Sequence, residues 1–206
     1  MKPIKSLLVL AILCAPVVAS AQGYYYRGRG APEPVPGGFH NRAGHLTLGF
    51  GIGLGGMGDN GSAITSCDNC NYNPLALELD GHIGGMLTPR FGLMFEAQFN
   101  GQTIHSDFLN GDTTLSQGAA MIAAQVWLLP ILWVKGGLGF ASLQTDDTFF
   151  TRDLGSGLAV MGAVGVELMS ARSFALELQG RLIEGTYNSG NDHVTSGTIG
   201  LGINWY

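Results

Sequence analysis

Two groups of residues in this sequence have the types that nucleophilic catalysis uses. His105, Ser106 and Asp107 follow one another, and His193 lies shortly before Ser196. A nucleophile needs a base within hydrogen-bond reach and a third group that orients the base. Closeness in sequence does not supply that geometry, so we predict no catalytic residues and interpret both groups as polar loop residues.

The N-terminus indicates the compartment in which any such chemistry would take place. A basic start with Lys2 and Lys5 is followed by an apolar stretch and by an Ala-x-Ala arrangement that ends at Ala21. These features predict a cleaved secretory signal over residues 1–21. A lipoprotein signal that uses Cys14 is disfavoured, because Leu13 is too large for the small residue expected before a lipidated cysteine.

A Cys-x-x-Cys pair lies in a polar stretch of the chain. Cys67 and Cys70 have a spacing that occurs in redox motifs and in halves of zinc sites. The sequence offers no evident second ligand pair, and no helix is expected after Cys70. Because disulfides form and persist in exported proteins, we predict a small structural disulfide between the two, with no metal site and no cofactor.

The composition narrows the class of protein. Charged residues make up 12% of the chain, about half of the usual share, and the 33 glycines are more than twice the average. Few charges and many glycines favour strands that face lipid and pack closely inside. The formal net charge of −5 becomes more negative when Lys2 and Lys5 leave with the signal, so no nucleic-acid partner is predicted.

From Gly44 to Tyr206, apolar residues recur at every second position in eight successive segments. This period of two is typical of strands with one apolar face, and eight such strands in a row predict a closed barrel. The predicted strands are Gly44–Met57, Pro74–Met86, Pro89–Gly101, Leu115–Leu128, Pro130–Leu143, Gly157–Met169, Ser173–Tyr187 and His193–Tyr206.

The connections between these strands alternate in length. Leu87-Thr88, the junction at Pro130 and residues 170–172 are short, whereas residues 58–73, 102–114, 144–156 and 188–192 are longer and polar. Such alternation is typical of an up-and-down outer-membrane barrel with both chain ends in the periplasm. Residues 22–43, rich in Gly, Pro and Tyr, are predicted to be a disordered periplasmic tail before a barrel over 44–206.

The uncharged stretch between Asp112 and Lys135 also suggests part of a transmembrane helix. Gln125 and Pro130 interrupt it, and alternation resumes on both sides, so two strands joined at Pro130 account for it better.

Alternation alone does not separate a membrane barrel from a soluble lipocalin-like one. In the first predicted strand, one face carries large apolar residues such as Phe50 and Ile52, and the other carries Gly49, Gly51 and Gly53. A water-facing surface would need many charged residues, whereas small residues fit the crowded interior of an eight-stranded barrel. The large apolar face is therefore predicted to point outward to lipid.

The same parity places a set of larger polar residues in the lumen. It contains five carboxylates and two firm cations, and buried charges persist only when they are paired and hydrogen-bonded. We expect Arg181 and Lys135 each to be shared by several acids in a structural plug, with a proton-linked or narrow channel as the alternative. The predicted lumen residues are Glu78, Asp80, His82, Glu96, Gln98, Gln125, Lys135, Glu167, Glu177, Gln179 and Arg181.

With its signal, alternating strands, polar lumen and the ending IGLGINWY, the chain resembles the small bacterial outer-membrane barrels that include OmpX and the transmembrane domain of OmpA. The resemblance implies an outer-membrane location, surrounding lipid and lipopolysaccharide, and an assembly signal at Trp205 and Tyr206 read by the barrel assembly machinery. The apolar parity includes Trp205 and not Tyr206, so either Tyr206 turns at the rim or the signal is shifted by one residue.

The functional prediction is a non-enzymatic outer-membrane barrel with an envelope-structural or surface-interaction role. The alternatives are a lipid A-modifying enzyme, since the family contains such enzymes, and a narrow channel. The long loops hold eight aspartates against Arg152 alone, so divalent cations that bridge lipopolysaccharide phosphates are a further possible partner. These aspartates are Asp59, Asp68, Asp107, Asp112, Asp146, Asp147, Asp153 and Asp192.

Overall fold

A computed structural model describes residues 39–63, 75–106, 111–146, 151–171, 173–187 and 192–206. Cys67, Cys70 and Asp107 lie outside these ranges, as do the signal and most of the predicted tail. The described chain forms nine strands: β1 (Leu46–Asp59), β2 (Ser62–Ala63), β3 (Ala76–Thr88), β4 (Phe91–Ser106), β5 (Gly111–Trp127), β6 (Leu132–Asp146), β7 (Thr151–Ser170), β8 (Phe174–Tyr187) and β9 (Asp192–Trp205).

Eight long strands close into one barrel, and the two-residue β2 pairs only with the end of β1. Each long strand runs antiparallel to the next, and β1 also pairs with β9 from Leu48 opposite Trp205 to Asp59 opposite Val194. This closure leaves no long strand with an unpaired edge. The prediction of an eight-stranded antiparallel up-and-down barrel is confirmed.

The barrel has two different ends. At the turn end, short connections join β3 to β4, β5 to β6 and β7 to β8, and the last residue, Tyr206, lies there too. The loop end carries the other connections. At that end β4 and β5 stay paired out to Ser106 and Gly111, and β6 and β7 out to Asp146 and Thr151, so the second and third loops are shorter than the sequence suggested.

Two local irregularities lie at the loop end, where chain geometry requires them. Asn60 and Gly61, with φ of 46° and 82°, form the tight turn between β1 and β2, as is common for Asn-Gly hairpins. Gly155, with φ of 129°, lies beside a bulge where Leu143 pairs with Gly155 and Gln144 pairs with Asp153. The Asp153 carboxylate accepts a hydrogen bond of 2.8 Å from the Gly155 amide.

Along each strand, side chains alternate between the lumen and the outer surface. On β1, Leu46, Phe50, Ile52 and Leu54 are each more than half exposed, at 66%, 58%, 55% and 56%. Comparable apolar side chains project from each of the remaining long strands, and together they form a continuous outer belt. A soluble monomer rarely exposes so large an apolar patch, whereas a lipid-facing barrel must present one. Among the described residues, no helix is long and apolar enough to cross a membrane.

Candidate functional site

The lumen face of β1 leaves room for long polar side chains from its neighbours. A Cβ atom on Gly49 would collide with His82 and Asn204, and one on Gly51 would collide with Asp80 and Gln179. Asp80 and His82 reach over β1 from β3, while Asn204 reaches over it from β9, the neighbouring strand on its other side, and Gln179 from β8 beyond β9. Because these positions of β1 are glycines, the polar side chains of its neighbours can pack directly against its backbone.

A network of ion pairs and hydrogen bonds in the middle of the lumen, which we call the central network, surrounds the guanidinium of Arg181. This residue is 3% exposed. Arg181 Nη1 lies 2.7 Å from Glu96 Oε1 and 3.2 Å from Glu78 Oε1, and Nη2 lies 3.1 Å from Asp80 Oδ1. One arginine on β8 thus bridges three carboxylates on β3 and β4 across the barrel. Burial of an arginine is tolerated when its donors meet carboxylates in this way.

Two amide side chains and one lysine extend the central network. Gln179 donates to Asp80 at 2.9 Å and accepts from Arg181 at 3.2 Å, and Gln98 accepts from Arg181 at 3.3 Å. Lys135 Nζ lies 3.1 Å from Glu96 Oε2, so Glu96 holds both central cations. These contacts link β3, β4, β6 and β8 through the middle of the lumen.

Glu177 has an aromatic side chain as its hydrogen-bond partner. It is 1% exposed and accepts a 2.8 Å hydrogen bond from the indole N–H of Trp133, which is itself fully buried. The Trp133 ring lies 5.2 Å from Lys135 Nζ and occupies the space over Gly165. Trp133 thus links Lys135 of the central network to Glu177, which lies closer to the turn end.

The turn end contains a second ion-pair cluster, which we call the turn-end cluster. Arg42 donates to both oxygens of Glu167, at 2.6 and 3.0 Å, and to the Ser170 hydroxyl at 2.8 Å. The indole of Trp127 donates to Glu167 at 2.9 Å. Bidentate arginine–carboxylate pairs are among the strong, charge-assisted contacts between side chains.

The loop-end half of the lumen is less charged. Gln117 donates to the Tyr187 hydroxyl at 2.8 Å, and Asn100 donates to the Ser196 hydroxyl at 3.1 Å. An apolar cluster, mainly on β5, β6 and β7, extends from this half to the middle of the barrel, where Met121 is opposite Glu96; it combines alanines with the buried methionines Met57, Met94, Met121 and Met161. This half of the lumen is filled by neutral side chains.

The structure buries all eleven predicted lumen residues, each with no more than 6% of its surface exposed. It brings Glu78, Asp80, Glu96, Gln98, Lys135, Gln179 and Arg181 into the central network. His82 lies against β1 beside Asn204, and Gln125 is opposite Lys135 in the β5–β6 register. Glu167 and Glu177 lie toward the turn end.

Sequence reasoning missed the side chains that complete these contacts: Arg42, Trp127, Trp133, Asn204, Asn100, Gln117, Tyr187 and Ser196. Parity alone could have found Asn100 on β4 and Asn204 on β9, because both lie at inward positions. Nothing in the pattern around Arg42 indicates burial, since it precedes the first alternating strand.

His193 and Ser196, the candidate catalytic pair near the C-terminus, both lie on β9. Ser196 points into the lumen, is 2% exposed and accepts a hydrogen bond from Asn100. The alternation of inward and outward side chains along β9 places His193 on the outer side. His193 Nδ1 lies 3.4 Å from Glu184 Oε1, and both side chains are substantially exposed. Because His193 and Ser196 point to opposite faces of β9, they do not form a nucleophile–base pair. The side chains of His105 and Ser106 lie outside the described part of the structure.

The two C-terminal aromatic residues diverge. Trp205 is on the outer surface, 44% exposed, with its ring centroid 6.5 Å from that of Phe50. Tyr206 instead turns inward at the rim, 3.8 Å beneath the Arg42 guanidinium and 6.4 Å from the Trp127 ring. Burial raises the pKa of the Tyr206 hydroxyl well above its ordinary value. Of the two alternatives for Tyr206, the structure has the turn at the rim.

The close packing over β1 leads to a direct prediction for Gly51. Gly51→Ala would place a methyl group against the Asp80 carboxylate, which cannot move away freely because Arg181 and Gln179 hold it. We expect the free energy of unfolding in lipid vesicles to fall by about 1–3 kcal/mol, the usual cost of overpacking. Gly56→Ala is the matched control on the same strand, since nothing lies within 4 Å of its Cβ position. Equal effects of the two variants would contradict the packing described for β1.

The sequence matches no protein-family profile and no curated protein. Its structure is similar to that of Ail, the attachment invasion locus protein of Yersinia pestis, crystallised with the heparin analogue sucrose octasulfate. That match has a TM-score of 0.52 at 12% identity and covers 79% of this chain and 98% of Ail. Neisserial surface protein A matches with a TM-score of 0.50 at 11% identity, over 78% of this chain and 96% of the other.

Both of these proteins are small eight-stranded outer-membrane barrels. The outward apolar belt on every long strand requires a lipid environment, and its presence on a closed barrel is consistent with an outer-membrane location. The chain therefore has the fold of the small eight-stranded bacterial outer-membrane β-barrel proteins.

Proposed function

We propose that this chain is a non-enzymatic outer-membrane barrel with a plugged lumen, which serves the envelope as a rigid scaffold and presents its loop end at the cell surface. The observation that carries the proposal is the central network, in which Arg181 bridges Glu78, Asp80 and Glu96 across the bore. An interior held by ion pairs between facing walls has no free path for solutes.

The size of the barrel supports the same proposal. Eight strands give an interior just wide enough for the side chains that project into it. Here those side chains include Trp133, Trp127 and Tyr187, each at most 3% exposed, together with the four buried methionines of the apolar cluster. The bore is thus occupied at the turn end, at the centre and toward the loop end.

The surface role rests on the difference between the two ends. Short connections at the turn end fit the periplasmic side, and the loop end then faces outward. Asp59, Asp153 and Glu184 are exposed at the loop end. The solved structure of Ail holds a sulfated, polyanionic sugar analogue. An acidic loop end disfavours such a ligand here and favours cationic partners, or divalent cations between the loops and lipopolysaccharide phosphates.

The proposal predicts that the barrel gives lipid vesicles no permeability to small solutes. Purified full-length protein in vesicles should give osmotic swelling in glycine or arabinose at the rate of protein-free vesicles, because the central network occupies the bore. An open porin at the same protein-to-lipid ratio is the positive control. Swelling that rises with the amount of this protein would contradict a plugged scaffold and favour the channel alternative.

A further inference from the structure

The residues just before β1 are built into the barrel. Residues 39–45 lie at the turn end, where the Gly44 amide donates to the Met86 carbonyl at 2.7 Å and the Met86 amide donates to the His45 carbonyl at 2.9 Å. Within the segment, the His45 amide donates to the Arg42 carbonyl at 3.0 Å. These bonds fix a turn that points the Arg42 side chain into the lumen.

Arg42 ties together parts of the chain that are distant in sequence. Its guanidinium binds Glu167 and Ser170 at the end of β7, as described for the turn-end cluster. It lies 5.8 Å from the Trp127 ring at the end of β5 and 3.8 Å from the ring of Tyr206, which follows β9. One side chain that is 3% exposed therefore joins the entry to β1 with three other walls of the barrel.

Phe39 closes the space next to Arg42. It is 9% exposed and packs in an apolar cluster with Met86, Trp127 and Trp133. On its outer side, the exposed Arg90 guanidinium lies 3.8 Å from its ring. Met86, beneath this cover, is only 1% exposed.

We propose that residues 39–45 are a latch that seals the turn end of the lumen, with Arg42 as the residue that locks it. The latch is separate from the central network: it uses Arg42, Glu167, Trp127 and Tyr206, whereas the central network uses Arg181 and its acids. The lumen then has two seals in series, and releasing the latch exposes the layer around Met86 while the central network stays closed.

The test measures access to Met86 through the turn end. In full-length protein with Cys14→Ser, Cys67→Ser and Cys70→Ser, a Met86→Cys reporter is exposed in detergent micelles to a charged methanethiosulfonate reagent. Arg42→Ala should raise the labelling rate by about tenfold or more, since a buried charge-assisted pair then no longer holds the closed state. Leu129→Ala is the control, because Leu129 lies at the same end in the β5–β6 turn, is exposed and makes no contact with the latch described above, and it should stay within about twofold of the parent.

Each result decides the proposal. Fast labelling in the parent, or equal rates in the parent and Arg42→Ala, would overturn it. If Arg42→Ala does not give a heat-modifiable folded barrel, Arg42→Lys replaces it, since lysine keeps the charge but cannot bind both oxygens of Glu167. A labelling rate for Arg42→Lys above the parent supports the latch, and a rate equal to the parent overturns it. Vesicle permeability is unaffected in every case if the central network is the main plug, so failure of the latch and failure of the plugged scaffold are distinguishable.

Discussion

Arg181→Leu is expected to lower the free energy of unfolding by about 3–5 kcal/mol, the usual cost of removing one partner from a buried ion pair. The reason is that Glu78, Asp80 and Glu96 all bind this guanidinium at 2.7–3.2 Å and would remain buried without it. Lys135 reaches only Glu96 among the three. The measurement is reversible urea or guanidinium unfolding in lipid vesicles, followed by tryptophan fluorescence.

The control for Arg181 is another arginine of the barrel wall. Arg152 lies near the loop end of β7 and is exposed, so Arg152→Leu should change the unfolding free energy by no more than about 0.5 kcal/mol. If Arg181→Leu were as mild as Arg152→Leu, the central network would not be what holds the barrel walls together.

The second large effect is expected at Trp133. Trp133→Ala should cost about 3–5 kcal/mol, because it removes a fully buried ring and leaves a cavity over Gly165. Trp133→Phe keeps a six-membered ring but loses the N–H that binds Glu177 and part of the buried packing, so it should cost about 1–3 kcal/mol. The same vesicle unfolding assay measures both.

The gap between the two Trp133 variants measures what a six-membered ring contributes by packing at this position. A phenylalanine variant as unstable as the alanine variant would mean that the hydrogen bond to Glu177 and the missing part of the indole dominate. Wild-type stability in both variants would mean that the layer between the central network and the turn-end cluster is not tightly packed.

The sequence predicted the barrel well because the membrane imposes a strong signal on it. Inside the bilayer every outward residue must be apolar, so on β1 the large residues from Leu46 to Leu54 alternate strictly with small ones. The same parity identified which polar residues point inward, since a residue such as Glu96, between the outward Phe95 and Ala97, has only the lumen to occupy.

The strand ends were predicted less well at the loop end. β4 was expected to stop at Gly101 and continues to Ser106, and β7 was expected to begin at Gly157 and begins at Thr151. Backbone pairing continues past the apolar belt, but the outward residues there are polar, so the period-two hydrophobic signal disappears before the hydrogen-bond ladder does. At the turn end the apolar signal and the ladder stop almost together.

The partners within the lumen could not be read from the sequence. Parity gives the face of each residue, but whether Arg181 meets Glu177 or Glu78 depends on the stagger of strands on opposite walls and on side-chain length. Glu177 binds Trp133 because that indole reaches it from β6. Arg42 was missed for a different reason: it enters the lumen from a segment that has no strand periodicity, and its burial is set by tertiary contacts with Glu167 and Tyr206.

The most direct test of a lumen closed by the central network is ionic current through the wild-type barrel. Purified full-length protein is inserted into a planar lipid bilayer in about 1 M salt, with insertion verified by recovery of the heat-modifiable form from the membrane. Side chains that fill an eight-stranded bore leave no continuous path for ions, so no steady conductance above the bare bilayer is expected. A stable, reproducible conductance step for each inserted barrel would contradict the closed lumen and would favour a narrow channel.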